Sequence, residues 1–173
     1  MDEEERDRTA RAVRLGGAGP EPVPPPRLDM PDPQPAADEA APEYRVRPAV
    51  SDAELDELFA ASWPEHRAQP WTPVLARSLA WVCAYAPGLV GFVNVAWDGG
   101  GHAFLLDTTV HPSHRHMGIG TGLVLRAADA VRESGVEWLH VDYEPHLEAF
   151  YRGCGFRHTH AGLLHLGPPG TPT

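Results

Sequence analysis

The run from His111 to Val124, H-P-S-H-R-H-M-G-I-G-T-G-L-V, constrains the chain more than any other stretch. An apolar, β-branched run, Phe104 to Val110, precedes it and reads as a strand, and an apolar pattern with helical spacing follows it. A glycine-rich turn leading into a helix N-terminus is a phosphate-holding device. The unpaired N–H groups of the first turn point outward, and the helix dipole favours an anion there. Gly118 and Gly120 let the backbone approach that anion with no Cβ in the way. Arg115 adds a planar, charged fork that suits phosphate oxygens.

Two other phosphate-binding patterns fit this stretch less well. No Lys-Ser or Lys-Thr pair follows the glycines, which excludes a P-loop. A dinucleotide fingerprint wants a tight turn after the strand, yet His111 to Met117 intervene and Leu123 stands where the third glycine belongs. The histidines His111, His114 and His116 share one loop. Neither Cys83 nor Cys154 has a partner at ligand spacing, so no metal site is expected.

The spacing Arg115-x-x-Gly118-x-Gly120, behind a strand ending Val110-His111-Pro112, resembles the acyl-CoA pyrophosphate loop of the GNAT N-acetyltransferase superfamily. A second segment, E-A-F-Y-R-G-C-G-F from Glu148 to Phe156, resembles that superfamily's closing helix, where an alanine, an aromatic and a tyrosine precede Gly-Phe. The two motifs stand in the expected order with one strand between them. The resemblance covers roughly residues 44 to 166 and is most specific from Asp107 to Phe156.

The resemblance implies acetyl-CoA as co-substrate. The N–H groups of His116, Met117, Gly118, Ile119, Gly120 and Thr121 would receive the pyrophosphate, with Arg115 beside them. Thr108, Thr109 and Val110 would pair with the pantetheine arm as an added strand does. Tyr151 would protonate the departing CoA thiolate, whereas Phe150 reads as a core aromatic. A thiol of pKa about 8.5 and a phenol of pKa about 10 are close enough for that transfer.

The other half of the reaction needs a base, because a free alkylamine is mostly protonated at neutral pH. Glu144 is the expected base, at the end of the strand nearest the reaction centre. Asp142, Asp107, on the loop-bearing strand, and Glu65 with His66, between the first two helices, are further candidates. Glu144 also marks a departure, since many superfamily members carry an asparagine near this point that contacts CoA. No cysteine stands where a covalent intermediate is expected, because Cys154 lies past Tyr151, so direct attack in a ternary complex is expected.

Composition narrows the partners. The net charge of −10 argues against nucleic acid, and no run of about twenty apolar residues argues for a membrane span. The acidic start Met1-Asp2-Glu3-Glu4-Glu5 is no secretory signal, and two cysteines make no disulfide framework, so a cytoplasmic location is expected. All 14 basic residues are arginine. Residues 1 to 43 hold nine prolines and eleven acidic against five basic residues, too little apolar surface to offset ordering entropy. A disordered tail is expected there, a GNAT-type domain over 44 to 166, and a loose tail over 167 to 173.

Within the domain the pattern predicts a short strand near Tyr44-Arg45-Val46-Arg47 and a helix from an N-cap at Ser51 or Asp52 through Ala61. A second helix begins at Trp71-Thr72-Pro73, with Thr72 capping. Three meander strands follow, Leu79 to Tyr85, Leu89 to Trp97 and His102 to Val110. A helix over Met117 to Ser134, a parallel strand over Trp138 to Tyr143, a short helix from Pro145 to Gly153 and a β-like stretch from Phe156 to Leu166 complete the chain. The fold expected is α/β: a mixed, mostly antiparallel sheet of six or seven strands flanked by helices. The function expected is acetyl transfer to a primary amine, on a small molecule or a protein; the non-enzymatic alternative is an acyl-CoA-binding sensor.

Overall fold

A computed structural model describes residues 41–164 and 166. Of the tail expected over residues 1–43 only 41–43 are described, and Glu43 already belongs to the first strand; the segment 167–173 lies outside the described residues. β1 (Glu43–Val46), β2 (Ser78–Tyr85), β3 (Leu89–Trp97), β4 (His102–Val110) and β5 (Trp138–Val141) form one sheet in that order. The first four pair antiparallel, and β5 lies parallel to β4. A helical crossover between β4 and β5 imposes that parallel pairing.

Both faces of β2 and β3 are buried, which is why their sequences are apolar runs rather than strict alternations. One face packs on α3 (Ile119–Arg132): Ala80, Val82, Val93, Val95 and Leu105 meet Ile119, Leu123, Val124, Ala127 and Val131. The other face carries Cys83 and Phe92 beneath α1 (Asp52–Ser62) and α2 (Thr72–Leu75), against Leu55, Leu58, Phe59, Trp71 and Leu75. At about 25 cal/mol per Å² of apolar area, these two layers are the main favourable term of the fold. The closing helix α4 is Glu148–Gly153, entered through a 3-10 turn over Pro145–Leu147.

α1 starts where its sequence says it should. Ser51 accepts the Glu54 N–H while the Glu54 carboxylate accepts the Ser51 N–H at 2.9 Å, a reciprocal capping box. Thr72 departs from expectation. The residue before α2 is Trp71, and the Thr72 hydroxyl donates instead to Asp52 at 3.1 Å, tying the short helix to the start of α1. α3 begins at Ile119 rather than Met117, because the turn needs left-handed backbone up to Gly118.

The sheet has five strands among the described residues, not six or seven. The missing pairing is that of the stretch Phe156 to Leu166, in which no described residue forms a strand. Leu163 and Leu164 stand side by side behind Gly162, which breaks the alternation a half-buried strand requires, and both remain more than 80% exposed.

Candidate active site

The site begins with a discontinuity in β4. Its parallel register with β5 runs from His102↔Trp138 to Leu105↔Val141 and stops, while β4 continues to Val110. On the opposite side the β3 register slips between Phe92↔Thr109 and Asn94↔Leu106, leaving one extra residue in β4. Asp107 sits in that bulge with φ 57°, a conformation that aspartate tolerates better than most residues.

The bulge resets the direction of every later side chain. Leu105 enters the α3 core, and beyond the bulge Thr109 is buried on the α1 side, where the Trp63 indole N–H donates to its hydroxyl at 3.2 Å. Thr108 and Val110 face α3 and α4. The Thr108 side chain meets the Tyr151 phenol, and Val110 packs within ordinary contact of the Gly120 position. The structure thus sets Thr108, Thr109 and Val110 beside the glycine turn, with no strand pairing on their β5 side.

The turn itself is built by local polar contacts. Pro112–His114 form a 3-10 turn in which His111 Nδ1 accepts the Ser113 N–H at 3.3 Å. The Ser113 hydroxyl also lies 2.7 Å from His111 and 2.9 Å from His114, so these imidazoles brace the loop. His116 and then Gly118 take left-handed backbone, with φ 64° and 79°. The first intrahelical bond of α3 runs from Gly122 N–H to Gly118 C=O at 3.0 Å, leaving the N–H groups of Ile119, Gly120 and Thr121 ahead of the ladder. Nothing lies within 4 Å of where a Gly118 side chain would begin, whereas at Gly120 the Phe150 ring is 3.3 Å away. Open space stands over the first glycine and α4 closes over the second. That cradle fits a pyrophosphate. Arg115 turns part of its fork inward, donating to Val110 C=O at 3.2 Å and Ser62 C=O at 3.4 Å, and its remaining N–H groups face water. Met117 is exposed.

Tyr151 is 5% exposed, stacked on Tyr143 at 4.9 Å and met edge-on by Phe150 and Phe156. Burial raises its pKa above 10, with Thr108 pulling the other way, so the phenol is protonated at neutral pH. Cys154 lies near Thr121, and burial raises its thiol as well. Glu144, next to Tyr143, is exposed, and no described side-chain hydrogen bond or ion pair involves its carboxylate.

Near the start of α2, Asp56 gathers a set of polar contacts. Burial pushes its carboxyl up, but the Trp71 indole at 3.1 Å, His66 Nε2 at 3.1 Å and the Gln69 N–H outweigh that and leave the pKa lowered. His66 is therefore held as a donor to Asp56, with its Nε2 proton committed. Glu65 is exposed. Asp107 differs from these carboxylates. The residue reaches water, yet desolvation by the surrounding sheet raises its pKa, and the Asn94 amide beside it opposes the rise. Sequence reasoning missed Asn94, Ser62 and Trp63, none of which carries a local signal. Their roles depend on which strands and helix ends the fold brings together. Among the described residues no group of three or more His, Cys, Asp or Glu side chains could hold a metal ion, and no helix is long and apolar enough to cross a membrane.

A sheet parted between its two parallel strands, with a glycine turn at a helix N-terminus beside the gap, is the acetyltransferase arrangement. The sequence matches the Acetyltransferase (GNAT) family over residues 49–156, more than half of the chain. The protein belongs to the GNAT acetyltransferase family. Among solved structures, a GNAT family protein of Streptococcus pneumoniae is 21% identical with a TM-score of 0.63, the match covering 73% of this chain and 98% of that one. The enzyme AAC(6′)-Iy, in complex with a bisubstrate analogue of CoA and acetylneamine, is 20% identical with a TM-score of 0.59, over 75% and 99%. A Bacillus subtilis acetyltransferase in complex with CoA is 21% identical with a TM-score of 0.54, over 67% and 76%. At these identities the likeness concerns the fold. None of the curated proteins matches the chain.

Proposed function

We propose that the protein moves an acetyl group from acetyl-CoA to a primary amine by direct attack in a ternary complex. The carrying observation is the stretch of β4 beyond Leu105, which has no strand partner on its β5 side and lies by the Gly118 turn and the buried Tyr151 phenol. A CoA thioester supplies an activated acetyl carbon. The N–H groups of Ile119, Gly120 and Thr121, with those of His116 to Gly118 and the outer donors of Arg115, hold its pyrophosphate. The backbone of Thr108 to Val110 pairs with the pantetheine amides as a strand would.

Tyr151 is the general acid. The amine nitrogen bonds to the acetyl carbon, the carbon–sulfur bond breaks, and the phenol proton passes to the thiolate. Asp107 takes the amine proton. Asp107 and Glu144 both reach water, but Asp107 has a raised pKa, which suits a base, and it stands one residue from Thr108. Glu144 then shapes the rim rather than the chemistry. The raised thiol of Cys154 is un-ionised at neutral pH, which supports direct attack over a cysteinyl intermediate. Two free thiols also support a cytoplasmic setting.

A carboxyl of raised pKa in the bulge favours this reading over the alternative of an acyl-CoA-binding sensor, which has no use for a base. The test is calorimetry with acetyl-CoA followed by thiol release against a panel of primary amines. Tight binding with turnover of at least one amine supports the enzyme. Tight binding with no turnover identifies the sensor, and no binding refutes both.

A further inference from the structure

On the α1–α2 side of the sheet a cavity of about 270 Å³ opens between α2 and the strands β3 and β4. Pro73 and Val74 form one wall, Ala96 and Leu106 the other, and Asn94 lines it from within the sheet. The walls are apolar. The Ser78 hydroxyl, at the margin, already donates to Val74 C=O at 3.0 Å. Asn94 is the exception: it is 2% exposed, and its Oδ1 has no hydrogen-bond partner.

A buried amide acceptor left unpaired is unusual, and folding alone gives no reason to retain it. Asp107 neighbours that amide. A carboxylate only accepts, so the Asn94 NH₂ group is the end suited to it and Oδ1 is left for another donor. Asn94, a residue that lines the cavity, therefore holds an unpaired buried acceptor whose natural complement is an N–H donor. Leu106 lines the cavity, and Asp107, a neighbour of Asn94, follows it in the bulge.

We infer that this cavity is the acceptor subsite, taking a primary amine carried on a compact apolar body, with Asn94 Oδ1 accepting an N–H bond from the amine. The inference rests on the acetyl-transfer reading above and names its substrate class. Size sets the limit on the body. Pockets for drug-sized ligands run from about 300 to 1,000 Å³, so this one takes roughly one ring and not a chain of linked sugars or a folded peptide. Charge sets the second limit. Arg77 borders the cavity, one of its N–H groups donating to Pro73 C=O at 2.8 Å, and its positive charge disfavours an acceptor with several ammonium groups.

The test compares benzylamine, one ring and one ammonium group, with spermidine, a linear triamine, using the full chain and acetyl-CoA. The expected kcat/KM is at least about 10-fold higher for benzylamine, within the range that shape and contact in a small apolar pocket supply. Ala96→Phe fills the cavity and is expected to raise the benzylamine KM about 10-fold or more while calorimetric acetyl-CoA affinity stays unchanged. Asn94→Leu keeps the side-chain volume and deletes the acceptor, and is expected to raise the amine KM likewise. If Ala96→Phe fails to fold, Val74→Trp makes the same test from the helix side, where the residue is only half-buried.

A preference for spermidine, or an unchanged benzylamine KM in the filled variants, overturns the inference while leaving acetyl transfer intact. Transfer to neither amine, with acetyl-CoA bound, overturns it too. Absence of acetyl-CoA binding in the parent protein is the separate failure of the underlying reading, and the subsite falls with it.

Discussion

Replacing Tyr151 by phenylalanine isolates a single oxygen atom. The ring is 5% exposed and packed by Tyr143, Phe150 and Phe156, contacts that phenylalanine keeps. The structural loss is the interaction with Thr108, a half-buried residue that water can reach, so stability is expected to fall by about 1 kcal/mol or less. The chemical loss is larger. Without a proton donor the thiolate leaves unprotonated, and turnover is expected to fall about 10- to 1,000-fold, or about 1.4 to 4 kcal/mol of barrier. Acetyl-CoA affinity is expected to change little, because a hydrogen bond to an uncharged sulfur is weak. The assay is continuous thiol release under conditions where chemistry limits the rate, repeated with a thioester whose thiol is more acidic. Such a leaving group needs less protonation, so it is expected to rescue the variant in part. Because burial raises the Tyr151 pKa above 10, any loss of rate from its ionisation falls on the alkaline side of that value and disappears in the variant. Full turnover in Tyr151→Phe, with chemistry rate-limiting, refutes the general acid and leaves a core aromatic.

Gly118→Glu is expected to abolish acetyl-CoA binding by placing a carboxylate in the open space before the turn; calorimetry reads it, and Gly118→Asn, which accepts φ 79°, checks that backbone strain is not the cause. A side chain at Gly122 would begin 2.2 Å from the Tyr44 hydroxyl, so Gly122→Ala is expected to cost about 1 to 3 kcal/mol in urea melts, and Tyr44→Leu in the same chain to restore part of it. Ser51→Ala removes one half of the capping box of α1 and is expected to cost about 0.5 to 2 kcal/mol. Asp107 binds its proton more tightly when folded, so its contribution to stability falls as pH rises from its unfolded pKa through its raised folded one. Asp107→Asn is therefore expected to be more stable than the parent at neutral pH, by a modest amount because the residue still reaches water, and to lose that advantage in acid; chemical melts across pH 3 to 8 read the sign.

Much of this protein is readable along one dimension. Helix α1 with its N-cap and the three meander strands follow from apolar period, a capping residue and turn residues, all of them interactions within a few residues of each other. The parallel sense of β5 follows from the helical crossover that precedes it. The glycine turn is legible for the same reason: a helix N-terminus and two glycines are local chemistry. The reading fails where a residue's meaning depends on a distant partner. Phe156 to Leu166 has strand-like residues, yet no described part of it joins the sheet, and strand pairing is a contact between segments rather than a property of one. Glu144 and Asp107 look alike in sequence, and only the fold puts Asp107 in a bulge beside Asn94, where partial desolvation raises its pKa although both residues reach water. Asn94 carries no signal at all in its own stretch of β3. Its unpaired Oδ1 exists because the sheet buries it, the bulge turns Asp107 toward its amide, and α2 leaves a gap above it. Sequence determined the elements and the anion-binding turn, because their physics is local. Tertiary structure decided which carboxyl has its pKa raised and which amide is left unpaired, because desolvation and orphaned hydrogen bonds arise only when distant segments close over a side chain.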